Sequence, residues 1–178
     1  MIFTSAKIQI FCFLVFPFLL YSQIQTYKVI KIKDGDTVGI LMNGKEETVR
    51  LAHIDCPEKM QPFGNNAKNF ISKLSFGKYV KLSGILARDR NKRIVAELFL
   101  TNGTNINKEL LKNGLAWHYK KYSADKSYAK LEMNARKRKA GLWQDKSPIE
   151  PWNWRNKPKS NGNSKIHRRK KILPPKLF

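Results

Sequence analysis

Tyr27-Lys28-Val29-Ile30-Lys31-Ile32-Lys33, then Asp34-Gly35-Asp36, then Thr37-Val38-Gly39-Ile40-Leu41-Met42 is the stretch on which the fold turns. The first seven residues mix β-branched and basic side chains and read as a strand. The Asp-Gly-Asp triplet reverses the chain, and Val38, Ile40 and Met42 then fall on one face with the period of two that marks a second strand. Asn43-Gly44 is a strong tight-turn pair. Glu47–Ile54 returns as a third strand, ended by Cys56-Pro57, so the segment is a hairpin meander.

Moving outward, Ala67, Phe70, Ile71 and Leu74 have the spacing of one helix face, which predicts a helix over Asn66–Leu74 before Gly77. Two strands follow, Tyr79–Leu86 and Arg93–Leu100, separated by the polar Asp89-Arg90-Asn91-Lys92 segment, and Asn102-Gly103 is read as the turn that closes this hairpin. Ile106–Leu115 predicts a short helix ending at Gly114. Ser123–Ala140 predicts a longer one, capped by Ser123 and stopped by Gly141. Three strands, a helix, two strands and two helices make an α+β chain. The pattern matches a five-stranded OB-fold Greek-key barrel with three helices, a fold that commonly binds oligonucleotides and that sets a prior on function without establishing it.

The 178 residues suffice for one core with a leader and a tail left over. Lys7 precedes an apolar stretch, Ile8–Tyr21, that is shorter than the roughly 20 residues of a membrane-spanning helix. It reads as a secretory signal peptide over residues 1–22, with cleavage near Ser22; a retained anchor is the other reading. The domain is expected over residues 23–155 and a basic, disordered tail over 156–178. Removal of the leader takes Cys12 with it and leaves Cys56 alone, which excludes an intramolecular disulfide. A formal charge of +22 draws the chain toward polyanions. Arg155–Phe178 carries nine basic residues and no acidic one, including Arg168-Arg169-Lys170-Lys171, a run suited to salt-sensitive attachment to nucleic acid or an anionic cell envelope.

Three carboxylates sit where strands turn: Asp36 after the first, Asp55 and Glu58 flanking Cys56-Pro57 after the third. Two Asp carboxylates, a backbone carbonyl and waters suffice for a hard divalent cation such as calcium or magnesium. His53, His118 and His167 lack zinc-ligand spacing with one another or with Cys56. Arg50 in the third strand and Arg93 at the start of the fifth can grip phosphate and stabilise charge on its oxygens. Together these residues supply a metal, a base and two phosphate clamps, the parts needed to hydrolyse a phosphodiester. Arg50 and Asp55 lie an odd number of residues apart, so the strand must bend or end between them to serve one site.

Asp34-Gly35-Asp36-Thr37, then Arg50-Leu51-Ala52-His53-Ile54-Asp55-Cys56-Pro57-Glu58, then Asp89-Arg90-Asn91-Lys92-Arg93 resemble, in order, the three signature segments of the staphylococcal-type thermonuclease family. The resemblance continues through Asn113-Gly114-Leu115-Ala116-Trp117 and Gly141-Leu142-Trp143 to Pro151-Trp152-Asn153-Trp154-Arg155. It implies that Asp36 and Asp55 bind calcium through carboxylates and Cys56 through its carbonyl, that Glu58 positions or activates water, and that Arg50 and Arg93 hold the scissile phosphate. The implied activity is cleavage of DNA and RNA, leaving 3′-phosphate ends, by a secreted monomer without a stable membrane span. Cys56 stands where members often have Thr, and Asn91-Lys92 where they have Tyr-Gly; Arg90 and Tyr122 are the other substrate-contact candidates.

Plainer readings stand beside these. Asp34-Gly35-Asp36 alone is a turn, Arg93 has Glu97 within reach on its own strand face, and Cys56 lacks a partnered base and reads as a packed side chain. Trp117, Trp143, Trp152 and Trp154 read as packing rather than base stacking. The rival functions are a catalytically silent OB-type nucleic-acid-binding module and a cationic adhesin; acidic groups beside the phosphate clamps argue against pure binding.

Overall fold

The computed structural model describes residues 25–156. The leader over 1–22, Cys12 and the tail beyond Asn156 lie outside the described residues. Inward-facing β-branched residues set the first hairpin. Strand β1 (Tyr27–Ile32) pairs antiparallel with β2 (Thr37–Met42), and Val29, Val38 and Ile40 are fully buried between them and the rest of the core. Asn43 and Gly44 both take positive φ, 49° and 76°, as a two-residue hairpin turn requires, and β3 (Lys45–Leu51) returns along β2 with Thr37 opposite Arg50.

Strand β3 stops at Leu51, three residues short of the sequence expectation. His53 adopts φ 67°, and the chain resumes as the two-residue strand β4 (Ile54–Asp55). The pairing ends here: Leu51 stands opposite Ala96 as the last residue in register, and Ala52 donates its N–H to Ala96 O. β5 (Tyr79–Arg88) and β6 (Ile94–Leu100) form the second hairpin, and β6 runs parallel to β3, closing a barrel in the order β1-β2-β3-β6-β5. The turn of that hairpin is Asp89–Lys92. Asn102-Gly103 instead turns the chain out of β6, with Gly103 donating to Leu100 O.

Helix α1 (Gly64–Ser75) buries Ala67, Ile71 and Ser75 at four-residue spacing. Helix α2 (Ile106–Lys112) is capped by Asn105, whose side chain accepts from Lys108 N. The segment after it forms β7 (Trp117–His118), which pairs with β4. Helix α3 runs over Lys126–Lys137, not from Ser123: Asp125 is its N-cap, accepting from Ser127 N, because Ser123 Oγ is taken by His53 Nδ1 (3.0 Å) and His118 Nε2 (2.9 Å). A 3-10 turn (Gly141–Gln144) and a short helix α4 (Pro151–Arg155), with Pro at its first turn, extend the three helices expected.

The main core joins the barrel residues to Ala67, Ile71, Leu110, Leu111 and Tyr128; a second cluster gathers Trp117, Ala135, Leu142 and Trp143, with Trp152 against it. Each fully buried aliphatic side chain contributes roughly 1.5–3 kcal/mol. Among the described residues Cys56 is free, so this packing, not cross-linking, holds the fold.

Candidate active site

Asp36 is placed by the turn it ends. Asp36 N donates to Asp34 Oδ1 (3.0 Å), and Lys33 and Asp34 both donate to Thr37 O. Gly35 is required by close approach: a Cβ there would lie 2.7 Å from the Ala67 Cβ and 2.8 Å from the Cys56 Cβ, so its absence lets the turn rest on α1 and on the Cys56 loop. That contact brings two loops together. Cys56 N donates to Asp36 Oδ2 at 2.7 Å, and Thr37 Oγ1 to Asp36 Oδ1 at 3.2 Å.

The break after β3 brings Arg50 and Asp55 to one side. Arg50 Nη1 donates to the carbonyls of Leu51 (2.9 Å) and Ile54 (3.0 Å), so the guanidinium fills the bend, and Nη2 meets Asp55 Oδ1 at 2.7 Å. Nη1 also lies 3.1 Å from Asp36 Oδ2, so Arg50 joins the two aspartates. Asn107, fully buried, fixes the strand end: its Nδ2 donates to Ala52 O (2.9 Å) while its Oδ1 accepts from Leu98 N.

Glu58 sits on the loop between β4 and α1, tied by exchange of hydrogen bonds with Gln61. A Cβ at Gly64 would lie 1.9 Å from Glu58 O, so only glycine lets this loop fold onto the start of α1. Gln61 Nε2 in turn donates to Ile149 O, fastening the loop to the chain that leads into α4. From α4, Arg155 reaches the acidic residues: Nη2 lies 2.8 Å from Asp55 Oδ2 and Nη1 2.6 Å from Glu58 Oε1. Trp152, stacked on Tyr119 and edge-on to Trp117, anchors the helix that carries it.

Three carboxylates thus face two guanidinium groups. Burial pushes the Asp36 carboxyl up to about 7; Arg50 opposes the rise, and Asp34 and Asp55 add to it. The Arg155 guanidinium is held charged despite its partial burial, through Asp55 and Glu58. Burial, and then the Asp36 charge, raise the Cys56 thiol well above its ordinary value, which keeps it protonated and inert. Among the described residues no group of three or more His, Cys, Asp and Glu side chains encloses a metal ion by itself. Two buried carboxylates, Asp36 and Asp55, stand together on Arg50, oxygen donors of the kind that calcium and magnesium accept in an incomplete protein shell. A cation bound there would offset the burial and the Asp34 and Asp55 charges that raise the Asp36 carboxyl.

Arg93 stands apart from these residues. Its partner is Asp89, with Nη2 at 2.7 Å from Oδ2, rather than the Glu97 expected from strand spacing. It lies two residues before Val95, which pairs with Arg50, so it shares the outer face of the barrel with Arg50. Arg90 is exposed in the 89–92 loop, and Tyr122 is exposed, edge-on to Tyr119 at 5.0 Å. Lys92, in place of Gly, takes φ 61°, a conformation glycine adopts freely and lysine does not. Arg155, Asn107 and Gln61 escape a reading of sequence. The two ends of the Arg155 contact lie 97 and 100 residues apart, and only the Pro-Trp-Asn-Trp-Arg stretch hints that this end matters.

Comparison with known proteins agrees with this geometry. A family model described as Staphylococcal nuclease homologue matches residues 48–145. An uncharacterised endonuclease of Haemophilus influenzae is 44% identical over 137 residues, 76% of each chain. A micrococcal nuclease of Shigella flexneri is 35% identical over 146 residues, covering 76% of this chain and 83% of that one. A staphylococcal-like nuclease of Arabidopsis thaliana is 35% identical over 77% of this chain and 40% of its own length. The chain belongs to the staphylococcal nuclease family and is a nuclease, a hydrolase of nucleic acid.

Proposed function

We propose that this nuclease is secreted and calcium-dependent, and that it cuts DNA and RNA with little sequence preference to leave 3′-phosphate ends. The observation that carries the reading is the convergence of Asp36 and Asp55, both buried, on one arginine, Arg50, with Glu58 beside them at the surface.

In this reading Asp36, Asp55 and the Cys56 carbonyl hold calcium, which when bound supplies positive charge for the phosphoryl oxygens. Glu58, its side chain 41% exposed, accepts a proton from water. The water oxygen attacks phosphorus, the bond to the 5′ oxygen breaks, and that oxygen takes a proton from solvent water while Glu58 gives up its own proton to solvent. Arg50 and Arg93, on one barrel face, take up charge on the non-bridging oxygens; Arg93 exchanges Asp89 for phosphate. The apolar Ile8–Tyr21 stretch supports secretion, and among the described residues no helix is long and apolar enough to cross a membrane.

Digestion of single- and double-stranded DNA and of RNA with calcium, magnesium or chelator, followed by end-group analysis, tests the reading. Calcium-dependent cutting to 3′-phosphates is expected; cutting in chelator, or 5′-phosphate ends, overturns it. N-terminal sequencing of protein from outside the cytoplasm is expected to begin near Ser22.

A further inference from the structure

Six large hydrophobic side chains stand exposed among the described residues, and three of them, Leu41, Phe76 and Tyr79, gather around the start of β1. Backbone pairing puts them together. Lys28 stands opposite Leu41 on one side of its strand and opposite Tyr79 on the other, so the three side chains form a row on the outer surface of the barrel. Val29 donates to Lys78 O and accepts from Gly77 N, which brings Phe76, at the end of α1, alongside the row. Leu41 is 43%, Phe76 57% and Tyr79 54% exposed. Apolar side chains scattered singly over a surface need no explanation, but adjacent ones mark an interaction site.

The charge around this row is of one sign. Lys28 and Lys78 are exposed within it, Lys73 is exposed in the last turn of α1, and half-buried Lys81 follows Tyr79 on the same strand face. Among the described residues none of the four is in an ion pair. Glu46, opposite Leu41 on β3, is the acid in register with the row, and Lys31 (3.7 Å) and Lys33 (3.3 Å) already face it. Apolar side chains rimmed by lysines suit the boundary between headgroups and acyl chains of an anionic bilayer, where the rings and the leucine enter and the ammonium groups stay with the phosphates. A nucleic-acid backbone would engage the lysines but leave Leu41 and Phe76 in water. The sequence adds a second argument. Five residues separate Tyr21, the end of the apolar leader stretch, from Tyr27, so a chain still held by its leader keeps this face within about 20 Å of the membrane.

We propose that this face docks the nuclease on anionic phospholipid bilayers. The carboxylates lie toward the other end of the same hairpin: Leu41 is four residues along β2 from Thr37, roughly 13 Å, and Thr37 follows Asp36. A docked molecule holds them away from the lipid. The inference does not depend on the chemistry assigned to those carboxylates.

The test is sedimentation with vesicles of phosphatidylglycerol and phosphatidylcholine in equal parts, and with phosphatidylcholine alone, in calcium-free buffer. Both core clusters lie within residues 25–156, so the chain from Gln23 to Phe178, tail included, is the folded protein without its leader. Leu41→Ser/Phe76→Ser is compared with Met60→Ser/Met133→Ser, which removes exposed apolar side chains elsewhere; neither pair alters charge, so attraction of the basic tail to the vesicles is common to all. The face pair is expected to weaken binding to the anionic vesicles about tenfold and the control pair less than twofold. Equal losses in both pairs, no loss in the face pair, or equal wild-type binding to phosphatidylcholine alone overturns the proposal. Phe76→Trp, which keeps an exposed ring, is expected to bind as wild type does, and a loss there as well overturns it. Binding of a phosphorothioate DNA duplex, which resists hydrolysis, is expected to be unchanged in the face pair; if it falls while vesicle binding holds, the face belongs to nucleic acid and the proposal fails.

Discussion

Arg155 is the residue whose position most changes the account of this site. A divalent cation that uses Asp55 competes with a guanidinium already 2.8 Å from Oδ2. The Arg155 side chain is 41% exposed, so solvent screens the pairing and its net worth is about 1 kcal/mol, near fivefold in affinity. Arg155→Ala is therefore expected to bind calcium about fivefold more tightly by calorimetry; an unchanged affinity would show that the guanidinium does not compete. Asp36→Asn, which removes a charged ligand in the proposed reading, is expected to lower the cleavage rate by about two orders of magnitude or more, and near wild-type rates would mean Asp36 holds no metal. Asn107 acts differently, through the backbone. Asn107→Ala strands Ala52 O and Leu98 N in the core and is expected to cost about 1–3 kcal/mol in urea unfolding.

Between the strands, the loop of Asp89–Lys92 holds Arg93 by backbone and side-chain bonds to one carboxylate: Asp89 accepts from Asn91 N, Arg93 N and Arg93 Nε. Lys92 bears the strain of that loop at φ 61°. Lys92→Gly is expected to stabilise the protein by about 0.5–1 kcal/mol in chemical denaturation; a loss of stability would show that the lysine side chain compensates its conformation. Most elements were legible because their signals are local. The Asn43-Gly44 turn, the alternation of Val38 and Ile40 and the spacing of Ala67 and Ile71 are all satisfied within a few residues. The start of α3 was not, because Ser123 and Asp125 are both good caps and the choice falls to a tertiary contact, the two histidines that claim Ser123 Oγ. The start of α1 carries no capping side chain; it is set by Gly64 meeting the Glu58 carbonyl. Asp36, Arg50, Asp55 and Glu58 were legible as a set, and the structure joins them. Arg93 was legible as a candidate, but its Asp89 partner required the loop to be seen.

Across the whole molecule, His118 joins the site's supports to pH. Burial lowers its tendency to take a proton, with Lys120 and His53 acting in the same direction and Glu132 and Asp125 against it. A histidine whose folded affinity for protons is depressed stabilises the fold above its ordinary value near 6.5, and that stability is lost as pH falls toward the folded value. Between pH 8 and pH 5.5 metal-free protein has two opposed contributions: the buried Asp36 carboxyl, raised to about 7, takes a proton in the fold and favours it as pH falls, while His118 disfavours it. His118→Gln is therefore expected to make the urea midpoint rise more steeply on acidification, and an unchanged slope would assign that part to other groups. The parallel pairing of β3 with β6 reaches across more than forty residues, and the Arg155 contact across a hundred. Contacts so distant along the chain form late, after local hairpins. During synthesis, then, a ribosome-bound chain bearing Asp36, Asp55 and Glu58 has neither a closed barrel nor Arg155 opposite Asp55 and Glu58. The three carboxylates are gathered opposite their arginines only after the last residues of the domain have left the ribosome, so the chain carries their unbalanced negative charge until its synthesis is nearly complete.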